Sequence, residues 1–156
     1  MKTLTQEQID FLNKVVNRHR GSDSPLPPDG AWEQTDKGII VRTYVDMSFM
    51  KLKKIPVKFY MVCGYFNCQG NELTSLQNCP RYIGYKDPET PIHTDPIYFD
   101  QHFFCGASNK LVSLKGGPKY VLGYYDVNDN PLKSAKGYPK MIKNKKVSSL
   151  ALQYLE

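Results

Sequence analysis

The chain has 156 residues, a formal net charge of +6, 40% hydrophobic and 12% aromatic residues, which is enough apolar material for one core but not for two. No apolar run reaches membrane-spanning length and no apolar h-region follows Met1, so the expectation is one soluble, cytoplasmic domain. The cysteines, spaced Cys63-x4-Cys68-x10-Cys79-x25-Cys105, contain no C-x-x-C pair, which argues against a zinc site and for reduced thiols packed as small hydrophobes, with Cys63, Cys68 and Cys105 in core-facing slots.

The chain opens on an amphipathic pattern. Leu4, Ile9, Leu12 and Val16, with Phe11 and Val15 beside them, follow helical spacing. Thr5 and Gln8 stand three apart as a capping box, and the pattern predicts a helix of about four turns. Gly21 to Gly30, with Pro25, Pro27 and Pro28, reads as a loop. Trp32 to Thr35, Asp36-Lys37-Gly38 and Ile39 to Val45 then read as strand, turn and strand. Residues 1–46 are expected to cap the open end of a repeat array that begins at residue 47.

From residue 47 the sequence repeats. Cys63-x-x-Phe66-x-Cys68-x-x-Asn71-x-Leu73 and Leu122-x-x-Tyr125-x-Val127-x-x-Asn130-x-Leu132 share one frame, L-x-x-L-x-L-x-x-N-x-L. Each copy runs on through a Leu pair or its equivalent to a proline and an aliphatic residue: Pro80 and Ile83, Pro139 and Ile142. A third copy, Leu111 to Val121, is preceded by Phe103-x-Cys105 and Asn109 with one extra residue, which predicts a bulge. A degenerate first copy runs from Val45 through Leu52 and Ile55, with Phe59 in the proline slot, and a last one ends in Leu152-x-x-Leu155. The leucines 52, 73, 111, 132 and 152 stand 21, 38, 21 and 20 apart, so one interval carries an insertion at residues 85–101.

The slots have physical roles. Phe66/Cys68, Phe103/Cys105 and Tyr125/Val127 alternate onto the inner face of a short strand. Asn71, Asn109 and Asn130 can bond backbone groups that a tight turn leaves unpaired, and stacking them makes a buried ladder. One turn of such a coil cannot bury both of its faces, so the turns must stack.

The outward residues of the same strands are Tyr44, Asp46 and Ser48, then Tyr65, Asn67 and Gln69, then Phe104, then Tyr124, Asp126 and Asn128. Tyr44, Tyr65, Phe104 and Tyr124 would form an aromatic column, either a hot spot for a partner or a stack that stiffens the sheet. The acidic, proline-rich insertion adds His93 and Tyr98 to the candidate partner surface. His93, Asp95, Asp100 and His102 are the residue types of metal or acid-base chemistry, yet no signature spacing such as H-E-x-x-H joins them. No cofactor or metal is expected.

Charge is uneven: residues 1–46 carry −1, 47–83 carry +4, 84–102 carry −3 and 103–156 carry +6. Lys110, Lys115, Lys119, Lys133, Lys136 and Lys140 form a basic surface that could hold nucleic acid. They lack arginine forks and interleaved aromatics, so a solvated lysine face is the preferred reading.

Phe66-Asn67-Cys68-Gln69-Gly70-Asn71-Glu72-Leu73-Thr74-Ser75-Leu76 and Asn109-Lys110-Leu111-Val112-Ser113-Leu114-Lys115-Gly116-Gly117-Pro118 carry a family resemblance. The run from about Tyr44 to Val147 resembles the uncharacterised leucine-rich-repeat-like proteins common in tailed bacteriophages. That resemblance implies a small intracellular phage protein and brings no catalytic residues. The expected fold is an α+β or β solenoid, a right-handed leucine-rich-repeat-like coil of about five turns with parallel strands, one compact domain capped by an N-terminal helix and hairpin. The expected function is a non-enzymatic module that binds a host protein, for takeover or to block a defence system. Nucleic-acid association through the lysines, or an enzyme built on the insertion, are the alternatives.

Overall fold

The computed structural model describes residues 1–18, 30–92, 101–142 and 147–148. The chain forms a β-solenoid of about five turns whose strands are mostly parallel, preceded by one helix, α1 (Gln6–Val15). Among the described residues, no helix is long and apolar enough to cross a membrane.

Helix α1 starts where the capping box sets it. Thr5 Oγ1 accepts from Gln8 N–H and Gln8 Oε1 accepts from Thr5 N–H, satisfying two N-terminal amides reciprocally. Leu12 and Val15 face the core. The helix spans ten residues rather than four turns, because Val16 turns extended and forms an antiparallel bridge with Val45. Asn17 N–H then donates to Tyr44 O at 3.1 Å. The chain thereby leaves the helix to cover the free edge of a sheet, a row of amides and carbonyls that would otherwise pair with another chain.

Each turn of the coil contributes one short strand to each of two parallel sheets. The first sheet is opened by β1 (Trp32–Thr35), which pairs antiparallel with β2 (Gly38–Val41) as a hairpin; β4 (Phe59–Val62), β6 (Tyr82–Ile83), β10 (Tyr120–Val121) and β12 (Met141–Ile142) follow in parallel. The second sheet runs β3 (Val45–Asp46), β5 (Phe66–Asn67), β9 (Phe104–Cys105), β11 (Tyr125–Asp126) and β13 (Val147–Ser148). Inside, Val41, Val62, Ile83, Val121 and Ile142 line up from the first sheet, and Val45, Phe66, Phe104 and Tyr125 from the second. Leu73, Leu76, Leu111 and Leu114 close the third side of the coil, fully buried. The repeat's last copy, Leu152 to Leu155, lies outside the described residues.

The asparagine ladder is present as the frame requires. Asn109 Oδ1 accepts from Leu73 N–H of the coil before, while its Nδ2 donates to Cys68, Gly106 and Ala107 carbonyls. Asn71 does the same for Met50 and Leu52 N–H and for Met47, Cys68 and Gln69 carbonyls. Asn130 serves Leu111 N–H and the Gly106, Val127 and Asn128 carbonyls. Before each asparagine one residue takes left-handed φ: Gly70 (69°), Ser108 (55°) and Asp129 (56°), with Phe49 (55°) before Met50 in the first coil.

The bulge expected ahead of Asn109 is absent. Phe104-Cys105-Gly106-Ala107-Ser108-Asn109 matches Phe66 to Asn71 residue for residue, with Phe66 paired to Phe104 and Asn67 to Cys105. Gly106 occupies the slot of Cys68, and a Cβ there would stand 3.0 Å from the Phe104 ring. The one register shift in the parallel ladder falls instead between β2 and β4, where Tyr60 is the extra residue.

The long interval between Leu73 and Leu111 holds a break in the coil. Leu122 N–H donates to Ile83 O and Gly123 N–H to His102 O, so the coil is interrupted between Gly84 and His102, whose counterparts Cys63–Gly64 and Leu122–Gly123 are adjacent in the neighbouring coils. The loop begins as a hairpin, β7 (Tyr85–Asp87) and β8 (Thr90–Pro91), turning at Pro88-Glu89.

Candidate functional site

Where the chain passes from the first sheet to the second, four successive coils each place one aromatic ring. Tyr44 stacks on Tyr65 at 4.6 Å between centroids and 18° between planes; Tyr65 stacks on Phe103 at 4.8 Å and 5°, and Phe103 on Tyr124 at 4.6 Å and 7°. All four residues are half-buried. Parallel strands about 4.8 Å apart dictate this spacing once every coil has an aromatic in that slot. Burial, and then the neighbouring Tyr44 and Asp46, push the Tyr65 hydroxyl well above the usual phenol range.

The third rung of the column is Phe103, not Phe104. Phe104 is fully buried, 6.1 Å from the Phe66 ring and 5.2 Å from Tyr125, inside the coil. Absence of the expected bulge shifts this strand by one residue and exchanges the two phenylalanines. The same shift moves Cys105 to the outer face, where its Sγ lies 3.6 Å from Gln69 Oε1 and burial raises the thiol to about 12. Cys63 also departs from its expected core slot and sits half-buried at the sheet corner, while Cys68 and Cys79 lie in the core. All four thiols are free.

The polar residues below the column are engaged by the chain itself. Asp46 Oδ1 accepts from Ser48 N–H at 2.9 Å and from its hydroxyl at 2.6 Å, Asn67 Oδ1 from Gln69 N–H at 3.0 Å, and Asp126 Oδ1 from Asn128 N–H at 2.9 Å. In these three coils the outward residue of the second-sheet strand thus bonds the amide two positions on, a turn-forming use of Asn and Asp. Arg18 Nη1 stands 3.8 Å from Asp46 Oδ1 and donates to Ser48 O at 3.0 Å. Desolvation raises the Asp126 carboxyl, partly offset by the Asn128 amide.

A cleft of about 570 Å³ opens beside the column. Its walls include the Tyr44, Tyr65 and Phe103 rings, Arg42, Ile92 from the insertion, and buried His102. The structure therefore brings Tyr44, Tyr65 and Tyr124 together as the sequence predicts, and sets the polar set of Asp46, Asn67, Gln69, Asp126 and Asn128 on the adjoining strands. His93, Tyr98, Asp95 and Asp100 lie outside the described residues.

Of the predicted basic residues, Lys110, Lys115, Lys133, Lys136 and Lys140 are exposed and Lys119 is half-buried. Sequence reasoning missed that Arg81 stands in one row with Lys119 and Lys140 and that tyrosines flank this row. Its guanidinium carbon lies 5.8 Å from the Tyr82 centroid and 5.7 Å from that of Tyr120. The signal was available in Pro80-Arg81-Tyr82, Pro118-Lys119-Tyr120 and Pro139-Lys140-Met141, where a cation follows each repeat proline.

A β-solenoid with an aromatic column and an adjoining cleft is the class the geometry defines. Comparison with protein-family models, curated proteins and solved structures finds no match to the chain.

Proposed function

We propose that this chain is a non-enzymatic protein-interaction module, a phage-encoded factor whose aromatic column and adjoining cleft hold a protein of the bacterial host. The observation that carries the reading is the column itself: Tyr44, Tyr65, Phe103 and Tyr124 run unbroken across four coils, half-exposed, beside a cleft of about 570 Å³. Tyrosine and phenylalanine present large area at little rotamer entropy, which is why they concentrate in interface hot spots. Stacking also pre-orders the rings, so a partner does not have to immobilise them on binding. The cleft supplies what a flat column lacks, a cavity for an aliphatic anchor side chain from the partner. The phage origin and the role in takeover or in blocking a defence system rest on the sequence resemblance.

The test is affinity capture from host lysate with the wild-type chain and with Tyr65→Ala and Phe103→Ala. A single captured host protein, lost with both variants and retained with Lys133→Ala, supports the reading. Recovery of nothing specific by the wild type, or equal recovery by the variants, sinks it.

A further inference from the structure

The outer side of the first sheet carries chemistry that the proposed protein-binding column does not use. Lys119 N–H donates to Arg81 O and Met141 N–H to Lys119 O, so Arg81, Lys119 and Lys140 occupy one position on three successive coils, about 4.8 Å apart by strand spacing. Tyr60 takes that position in the second coil, where Arg81 N–H donates to Tyr60 O. Lys58 and Lys37 carry the cations onward, and the Lys37 ammonium lies 5.6 Å above the Tyr60 ring. Lys37, Lys58, Tyr60, Arg81 and Lys119 line a cleft of about 470 Å³ with one carboxylate, Asp36.

Like charges placed opposite one another destabilise a sheet. Among the described residues, the ion pairs are Arg18 with Asp46 and Arg42 with Glu33, and no cation of this row has a carboxylate partner. A row of cations at strand spacing, left unneutralised and bordered by aromatic rings, is the arrangement by which proteins hold a single-stranded nucleic acid: cations follow the phosphates and rings receive the bases. The rings are present. Tyr82 and Tyr120 stack at 4.9 Å and 8°, and Tyr60 meets Tyr82 edge-on at 5.7 Å.

The geometry points to this face as a track for single-stranded nucleic acid, with Lys37, Lys58, Arg81, Lys119 and Lys140 on the phosphates and Tyr60, Tyr82 and Tyr120 against the bases. On the other sheet the corresponding strands carry Asp46 and Asp126.

The experiment is fluorescence anisotropy of a labelled fifteen-nucleotide oligothymidylate with the full chain over a salt series. Three to five phosphate contacts predict that log K falls with log salt at a slope of about −2 to −3.5, and that Lys119→Glu with Lys140→Glu flattens the slope by about 1.4 and weakens binding at least about tenfold at low salt. Reversing these charges relieves repulsion within the row, so the variant folds, and circular dichroism verifies it. No binding at about 25 mM salt overturns the proposal. So does an equal loss with Lys133→Glu and Lys136→Glu, which changes the same charge elsewhere, or binding to phosphatidylglycerol vesicles without binding to the oligonucleotide. Tyr65→Ala leaves oligonucleotide binding unchanged, which keeps this outcome separate from that of the protein-binding column.

Discussion

Phe103 and Phe104 are neighbours in sequence and opposites in role. Replacing buried Phe104 with alanine leaves a cavity between Phe66 and Tyr125, and urea unfolding is expected to show a loss of about 3–5 kcal/mol. Phe103→Ala removes two stacked contacts at a half-exposed position and is expected to lose about 1–2 kcal/mol. The pair was ambiguous in sequence for a definite reason: either phenylalanine can start the repeat frame, and Cys105 imitated Cys68 in a slot that Gly106 fills. Asp126 supplies a second test. Its carboxyl is raised in the folded chain, so the folded state favours the protonated form, and the resulting stability is lost as pH rises through the folded pKa. Asp126→Asn keeps the acceptor for Asn128 N–H, as Asn67 does in its own coil. Thermal melts are therefore expected to show the variant more stable than wild type at pH 7, with the difference shrinking as pH falls into the carboxylate range. Among the thiols, Cys63 is the one half-exposed, and iodoacetamide followed by mass spectrometry should label it ahead of Cys68, Cys79 and Cys105.

The coil was legible as an element because its slots are chemically unlike. Leu73, Leu76, Leu111 and Leu114 must be apolar to fill the coil, and Asn71, Asn109 and Asn130 must present an acceptor and two donors at one point; no other side chain except the longer Gln does both. Asn109→Ala removes the acceptor from buried Leu73 N–H and the two Nδ2 donors shared by three carbonyls, an expected loss of about 3 kcal/mol by chemical denaturation. Asn130 is only half-buried, so water replaces part of its network and Asn130→Ala should lose less. Gly137 is legible for another reason: its φ is 91° and a Cβ would collide with the Leu114 carbonyl, so only glycine fits the stacked turn. The row of Arg81, Lys119 and Lys140 was hidden because charge counted by segment does not say which residues share a register. Register depends on strand pairing, and in the second coil the extra Tyr60 moves the cation to Lys58.

Across the whole molecule, the stacked rings of Tyr44, Tyr65, Phe103 and Tyr124 border the second sheet and the row of Arg81, Lys119 and Lys140 borders the first. The leucine spacing showed that the interval from Leu73 to Leu111 is long, since residues outside the coil must be added between two fixed slots. The hairpin within it was not readable, because the turn at Pro88-Glu89 is local and carries no repeat signal. The N-terminal segment acts at this scale too. Val16 and Asn17 cover the edge of β3, and Leu12 and Val15 bury themselves against the coil. Removing residues 1–17 exposes both the edge and the apolar face, and light scattering is expected to show concentration-dependent self-association that the full chain lacks.

The asparagine bridges have a direction. Each accepts from an amide of the coil that precedes it in the chain, so Leu52 N–H is held by the second coil, Leu73 N–H by the third and Leu111 N–H by the fourth. The three bridges therefore all close in one sense along the stack. Opening from the C-terminal side releases one bridge at a time, whereas the opposite end is fastened by the helix and its bridge to Val45. Amide hydrogen exchange should record this as a gradient, with Leu111 exchanging before Leu73 and Leu73 before Leu52.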